Sequence, residues 1–223
     1  MKFNYCPPIQ IPELESVTYP DGKRYYLTPD GDKFPSVTTV VGSVKKKQIM
    51  EWRKRVGDEE ANRVSRVASN RGTTVHTLCE RYLNNESVGS DDIMPDAFAM
   101  FRSIRPILDD INNIHYQEQA LWSKSLGLAG RVDCIAEFKG RLSVIDFKTS
   151  NRIKHEDDIE DYFWQCTAYA LMYEELVGIP IHNIHIIMAV EGSKPIVFSK
   201  RTEDYISGLV KVIRDYNKGL TNS

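Results

Sequence analysis

Two short apolar runs separated by two turn residues restrict the fold more than any other feature of this chain. Leu128, Ala129, Val132, Ile135 and Ala136 lead into Lys139-Gly140, and Leu142, Val144, Ile145 and Phe147 follow. Runs of this length around such a dipeptide predict two antiparallel strands, near 128–138 and 141–148. Charged residues interrupt both runs: Asp133 in the first, Asp146 and Lys148 in the second. Side chains alternate along a strand, so Asp146 and Lys148 share one face and Phe147 points to the other.

If Asp133 pairs near Asp146 across the hairpin, two hard oxygen ligands meet at one strand end, which suits magnesium or manganese better than zinc. Desolvation and a nearby divalent cation both lower the pKa of a lysine, so Lys148 would orient or deprotonate an attacking water there. Metal and lysine together would stabilise the charge that builds on phosphorane oxygens. The alternative reading is a turn at Asp133 and a solvated Asp146/Lys148 pair at the end of an ordinary hairpin. The hairpin alone leaves both open.

Other segments bear on the choice. Gln165 and Tyr169 lie one helical turn apart downstream, Arg71-Gly72-Thr73-Thr74-Val75-His76 lies upstream, and Pro35-Ser36-Val37-Thr38 precedes both. With Asp133 and Asp146-Phe147-Lys148, these residues resemble the RecB-like branch of the PD-(D/E)xK nucleases, including the mitochondrial genome maintenance exonucleases and their phage relatives, over roughly residues 34 to 200. The resemblance implies Asp133 and Asp146 as metal ligands, the Phe147 carbonyl as a third, and Lys148 as the catalytic lysine. It places His76 beside the metal and the scissile phosphate, and Glu118 as a further acidic group. It implies that Ser36, Thr38, Arg71, Thr73, Gln165 and Tyr169 serve the DNA backbone or steady the site. Val132 stands where the family's name has proline. Each position also has a plainer account. His76 and Glu80, four apart, suit a surface helix pair, Gln165, Ala168, Tyr169 and Met172 follow core spacing, and Ser36 and Thr38 suit polar positions on a strand.

The 223 residues, 41% of them hydrophobic, suffice for one domain with an elaboration, or two small ones at most. Cys6, Cys79, Cys134 and Cys166 are scattered without a Cys-x-x-Cys pair, so neither a zinc site nor an iron-sulfur cluster is expected. Net charge is only -2, but its distribution is uneven. Residues 45–81 hold ten basic groups against five acidic, and residues 86–118 hold seven acidic against two basic. Such asymmetry would focus nucleic acid toward one mouth, with Lys46 and Arg53 as expected phosphate contacts, although a solvated helix face explains the same run. No membrane span and no leader is expected, which suits the cytoplasm of a bacterium or a phage-infected cell. Without a Gly-x-x-x-x-Gly-Lys-Ser/Thr motif, any strand unwinding falls to a helicase, replication or recombination partner.

Residues 1–33, rich in Pro, Gly and Asp, read as a hairpin or arm with a strand near 18–27, and residues 34–223 as the nuclease domain. Helices are expected at 47–67, 73–84, within 96–112, from about 161 to Gly178, and at 203–216. Strands are expected at 115–124, 128–138, 141–148, 183–190 and 195–199. This order gives an α/β fold, a central mixed β-sheet flanked by helices around a restriction-endonuclease-like core. The function expected from the conjunction is a Mg2+- or Mn2+-dependent DNA exonuclease acting on single strands or ends. A structure-selective endonuclease and a non-catalytic DNA-binding module are the alternatives.

Overall fold

The computed structural model describes residues 2–7, 9–89 and 93–221. Three short strands, β1 (Glu15–Thr18), β2 (Arg24–Leu27) and β3 (Lys33–Pro35), open the chain, followed by helices α1 (Val37–Gly42), α2 (Lys46–Val56), α3 (Asp58–Leu83) and α4 (Pro95–Leu108). Then come β4 (Ile111–Ser123), β5 (Leu128–Phe138), β6 (Arg141–Ser150), α5 (Glu160–Val177), β7 (Asn183–Val190), β8 (Ile196–Arg201) and α6 (Ile206–Thr221). The five long strands form one sheet in the order β4-β5-β6-β7-β8, antiparallel except for β6 and β7. That parallel pair requires a crossover, which α5 supplies. The sheet is mixed and helices flank it, as the sequence predicts.

Alternation along the strands sorts the core into two faces. Cys134, Ala136, Ile145, Phe147, Ile187 and Ala189 pack under α3 and α4 with Val75, Leu78, Ile104 and Leu108. Val132, Ile135, Val144, Ile184, Ile186 and Met188 pack under α1, α5 and α6 with Val40, Phe163, Ala168 and Leu209. Asp146 has the parity of Val144, and so its carboxylate comes out on the α5 side.

Residues 1–33 were expected to hold a hairpin; β1, β2 and β3 instead make a three-stranded antiparallel sheet that reaches Pro35. It packs on the large sheet through Leu14, Tyr26, Ala120, Trp122 and Ala129, and Ser36 bridges to Ala129 at the start of β5. The helical pattern at 47–67 also resolves differently. Gly57, at φ +86°, ends α2, and α3 then runs 26 residues straight through the expected gap at 68–72. Gly72 is tolerated inside that helix because packing, rather than propensity, decides it. Among the described residues, no helix is long and apolar enough to cross a membrane.

Candidate active site

The β5–β6 ladder runs from the Lys139-Gly140 turn as far as Cys134 opposite Ile145 and stops there. Asp133 and Asp146, next in line, do not pair across the strands as the hairpin suggested. Asp133 Oδ2 instead accepts the backbone N–H of Phe147 at 2.8 Å, in the place of a carbonyl. A carboxylate thus takes over where the two strands cease to pair. Asp146 is buried, 1% exposed. The Gln165 amide donates to its Oδ1 at 3.1 Å, and the Lys148 ammonium lies 2.5 Å from its Oδ2.

The outer wall comes from other elements. His76, on α3, places Nδ1 3.5 Å from Asp133 Oδ2, and its ring meets the Phe147 ring edge-on. Glu118 interrupts β4 with a left-handed φ of +48°. One ligand atom from each of His76, Glu118 and Asp133 lies within 4.8 Å of the others. His76 and Glu118 border an open cleft of about 550 Å³, lined also by Gly72, Thr73, Thr77, Glu80 and Arg131. A divalent cation fits this set on two grounds. The donors are carboxylate oxygens and one imidazole, ligands that hard and borderline ions take. Asp146 Oδ2, though buried and ion-paired, makes no hydrogen bond of acceptable geometry and so keeps an acceptor position.

Electrostatics follow from burial and crowding of like charge. Burial, with Asp133, Glu80 and Asp146 adding to it, pushes the Glu118 carboxyl up to about 8. Burial also raises Asp146, to about 6, against the pull of Lys148. For Lys148 burial works downward, as the sequence suggested, but Asp146 and Asp133 outweigh it and the ammonium is held above its ordinary range. Without a cation beside it, the buried ion pair outweighs desolvation.

Other expected contacts are placed less simply. Gln165 is buried against Asp146, whereas Tyr169, also buried, covers Gly130. Ser36 is not on a strand. It caps α1, accepting the Thr39 N–H at 3.0 Å, and is 2% exposed, so it is spent on the fold rather than on a ligand. Thr38 is exposed on the first turn of α1. The Arg71 guanidinium is buried and bound to Glu191 at 2.8 Å, which makes it an anchor for α3 instead of a surface phosphate contact. Thr73 lines the cleft. Arg53 is occupied by Asp58 and Asn62, at 2.7 and 2.9 Å, while Lys46 is exposed. Phe147 contributes its N–H to Asp133 and its ring to His76.

Sequence reading passed over Tyr162, Arg131 and Thr77. The Tyr162 ring centroid lies 5.0 Å from the Lys148 ammonium, and Arg131 donates to the Glu118 carbonyl and pairs with Glu13. The periodicities held the signal. Tyr162 precedes Gln165 by three residues on a helix, Thr77 follows Thr73 by four, and Arg131 precedes Asp133 by two on a strand.

Residues 99–189 match the PD-(D/E)XK nuclease superfamily. The mitochondrial genome maintenance exonuclease 1 of Homo sapiens is 29% identical over 129 residues, covering 54% of this chain and 38% of that protein. Its counterpart in Xenopus tropicalis is 24% identical over 172 residues, covering 72% and 50%. The chain thus spans half or less of the length of these curated relatives. A solved structure from Eubacterium rectale overlaps 66% of this chain and 63% of its own, with TM-score 0.46 and 14% identity. His76 and the Arg71-Gly72-Thr73 element lie ahead of the matched segment. Residues 99–189 thus resemble the PD-(D/E)XK nuclease superfamily, and the chain is similar to the mitochondrial genome maintenance exonucleases.

Proposed function

We propose that this chain is a magnesium- or manganese-dependent deoxyribonuclease that works as an exonuclease on single-stranded DNA or frayed ends, in replication, repair or recombination. The observation that carries this reading is the convergence of His76, Glu118 and Asp133 on one cluster beside the Asp146–Lys148 pair, at the edge of an open cleft. The names of the curated relatives support the exonuclease part. The proposed setting is the cytoplasm of a bacterium or a phage-infected cell, with unwinding left to a partner.

Asp133, Asp146, Glu118 and His76 would hold the cation. A bound divalent ion supplies charge neutralisation at the phosphate and lowers the pKa of a water. The protein's own groups do the rest. Gln165 and Lys148 fix the two oxygens of Asp146, so the carboxylate costs little reorganisation when substrate arrives. Lys148, held beside Asp146, would orient or deprotonate the attacking water and face the phosphoryl oxygens. Asp133 holds Phe147 and His76 in register with it.

The test is cleavage of end-labelled linear DNA with magnesium, manganese or chelator, beside Lys148→Ala and a circular single strand. Metal-dependent loss of the linear substrate, abolished in the variant and absent on the circle, is the expected result. A cut circle would make it an endonuclease. A folded, metal-loaded protein that binds DNA and cuts none would leave the non-catalytic module.

A further inference from the structure

Glu118 sits in a backbone conformation that glutamate rarely takes, and the groups around it come from the next strand and from the segment ahead of β1. Its φ of +48° is left-handed, a region that a residue other than glycine keeps only where its surroundings impose it. The β4–β5 ladder pairs Gln117 with Cys134 and Gln119 with Val132, and omits the two residues between, Glu118 and Asp133. A side chain takes the Glu118 carbonyl instead. The Arg131 guanidinium donates to it through Nη1 and pairs through Nη2 with Glu13.

The segment ahead of β1 lies along β4, the edge strand of the large sheet. The Cys6 N–H donates to the Ile114 carbonyl, and the Ile114 N–H to the Asn4 carbonyl, both at 2.8 Å. The Tyr116 hydroxyl donates to the Ile9 carbonyl, Gln117 Nε2 to the Tyr5 hydroxyl at 2.6 Å, and Gln119 Nε2 to the Ile11 carbonyl at 3.5 Å. Both neighbours of Glu118 in sequence are thus tied to this segment, and Glu13 adds the link through Arg131.

Among the described residues that line the cleft, Arg131 alone carries a fixed positive charge. A guanidinium has no lone pair to offer a metal, and unpaired it would repel one. Glu13 offsets that charge. The pair itself adds little stability, since its side chains are 38% and 58% exposed. Resting on the assignment of Glu118 to the cation in the nuclease reading above, we propose that Arg131 is a positioning residue for that ligand. By fixing the Glu118 carbonyl it keeps the left-handed turn in which a Glu118 oxygen lies within 4.8 Å of ligand atoms from His76 and Asp133. Glu13 steadies the guanidinium, which makes the segment ahead of β1 part of the metal site's support.

The experiment measures Mn2+ affinity of the full chain without DNA, from the electron paramagnetic resonance of free Mn2+, with the urea midpoint as a check on folding. Arg131→Gln should weaken binding about tenfold. The sign is diagnostic, because removing a positive charge beside the site would by itself tighten it. In a Glu118→Gln background the same substitution should have little effect, since Arg131 acts through Glu118. Glu13→Gln should weaken binding in the wild type but not in the Arg131→Gln background. Arg131→Lys keeps one donor for the carbonyl and should show a smaller loss of the same kind; it carries the cycle if Arg131→Gln lowers the urea midpoint. Affinity unchanged or raised in Arg131→Gln, or an equal loss with and without the Glu118 carboxylate, would overturn the positioning role, while metal-dependent cleavage by the wild type would leave the nuclease standing. If the wild type shows the coupling and cuts no DNA, the positioning role holds and the nuclease reading fails. A wild type that binds no Mn2+ overturns both.

Discussion

Asp133 and Phe147 are joined side chain to backbone, at 2.8 Å, where the two central strands would otherwise pair. The carboxylate therefore has a structural duty besides any ligand duty, and two substitutions separate them. Asp133→Asn keeps an acceptor for the Phe147 N–H and should fold with nearly wild-type stability while losing metal-dependent cleavage. Asp133→Ala strands a buried donor and should cost about 1–3 kcal/mol in addition. Urea denaturation beside the cleavage assay distinguishes the two, and equal stability for both variants would remove the structural duty.

Lys148 and Asp146 form a buried pair, and breaking one side of such a pair costs about 3–5 kcal/mol because an uncompensated charge remains. Lys148→Met should thus destabilise the fold and lower kcat by about 10²–10³-fold. Asp146→Asn/Lys148→Met should regain much of the stability and none of the activity. A double-mutant cycle by chemical denaturation reads the coupling, and a sum of independent losses would refute it.

Glu118 makes stability depend on pH. Its folded carboxyl, at about 8, lies above the ordinary 4.5, so the fold binds this proton more tightly than the unfolded chain does. The contribution is fully present below the unfolded value and is lost as pH rises through about 8. In chelator, Glu118→Gln should therefore raise the melting temperature more at about pH 9 than at about pH 5. The same gain at both values would show that burial of the carboxylate is not penalised.

Gly130 lies close against Tyr169. A Cβ there would come within 3.0 Å of both Cε1 and the hydroxyl of Tyr169 and 3.3 Å of Val37. Gly130→Ala should cost about 1–3 kcal/mol through overpacking. Adding Tyr169→Leu relieves the crowding but leaves a void where the buried ring stood, so the double variant should recover only part of the loss. Calorimetric melting of the single and double variants measures this.

The site was legible where chemistry and periodicity coincide. Asp133, Asp146 and Lys148 stand out because charge interrupts apolar strands, and the flanking Lys139-Gly140 turn fixes their hairpin. What stayed hidden depends on the third dimension. No local pattern tells that a carboxylate takes over from the ladder at Phe147, that Glu191 arrives from the end of β7 to neutralise Arg71, or that Ser36 closes a helix end. Gly57 ends one helix while Gly72 is absorbed by the next, and only the burial of Val75, Leu78 and Leu83 explains the difference.

The parallel pairing of β6 with β7 has a final consequence. Because α5 must connect them, Asp146, Lys148 and Gln165 belong to one continuous β-α-β stretch, and Glu118 and Asp133 sit on the two strands that lead into it, whereas His76 arrives from α3. The strand residues come together with that unit; His76 joins them only once α3 has docked on the sheet. The half of α3 ahead of Arg71 buries only Ala61, so fluctuations that begin there threaten His76 before they reach the sheet. Mild heat should thus silence the molecule while its central unit is still intact, and cooling should rearm it without renewed folding of the core.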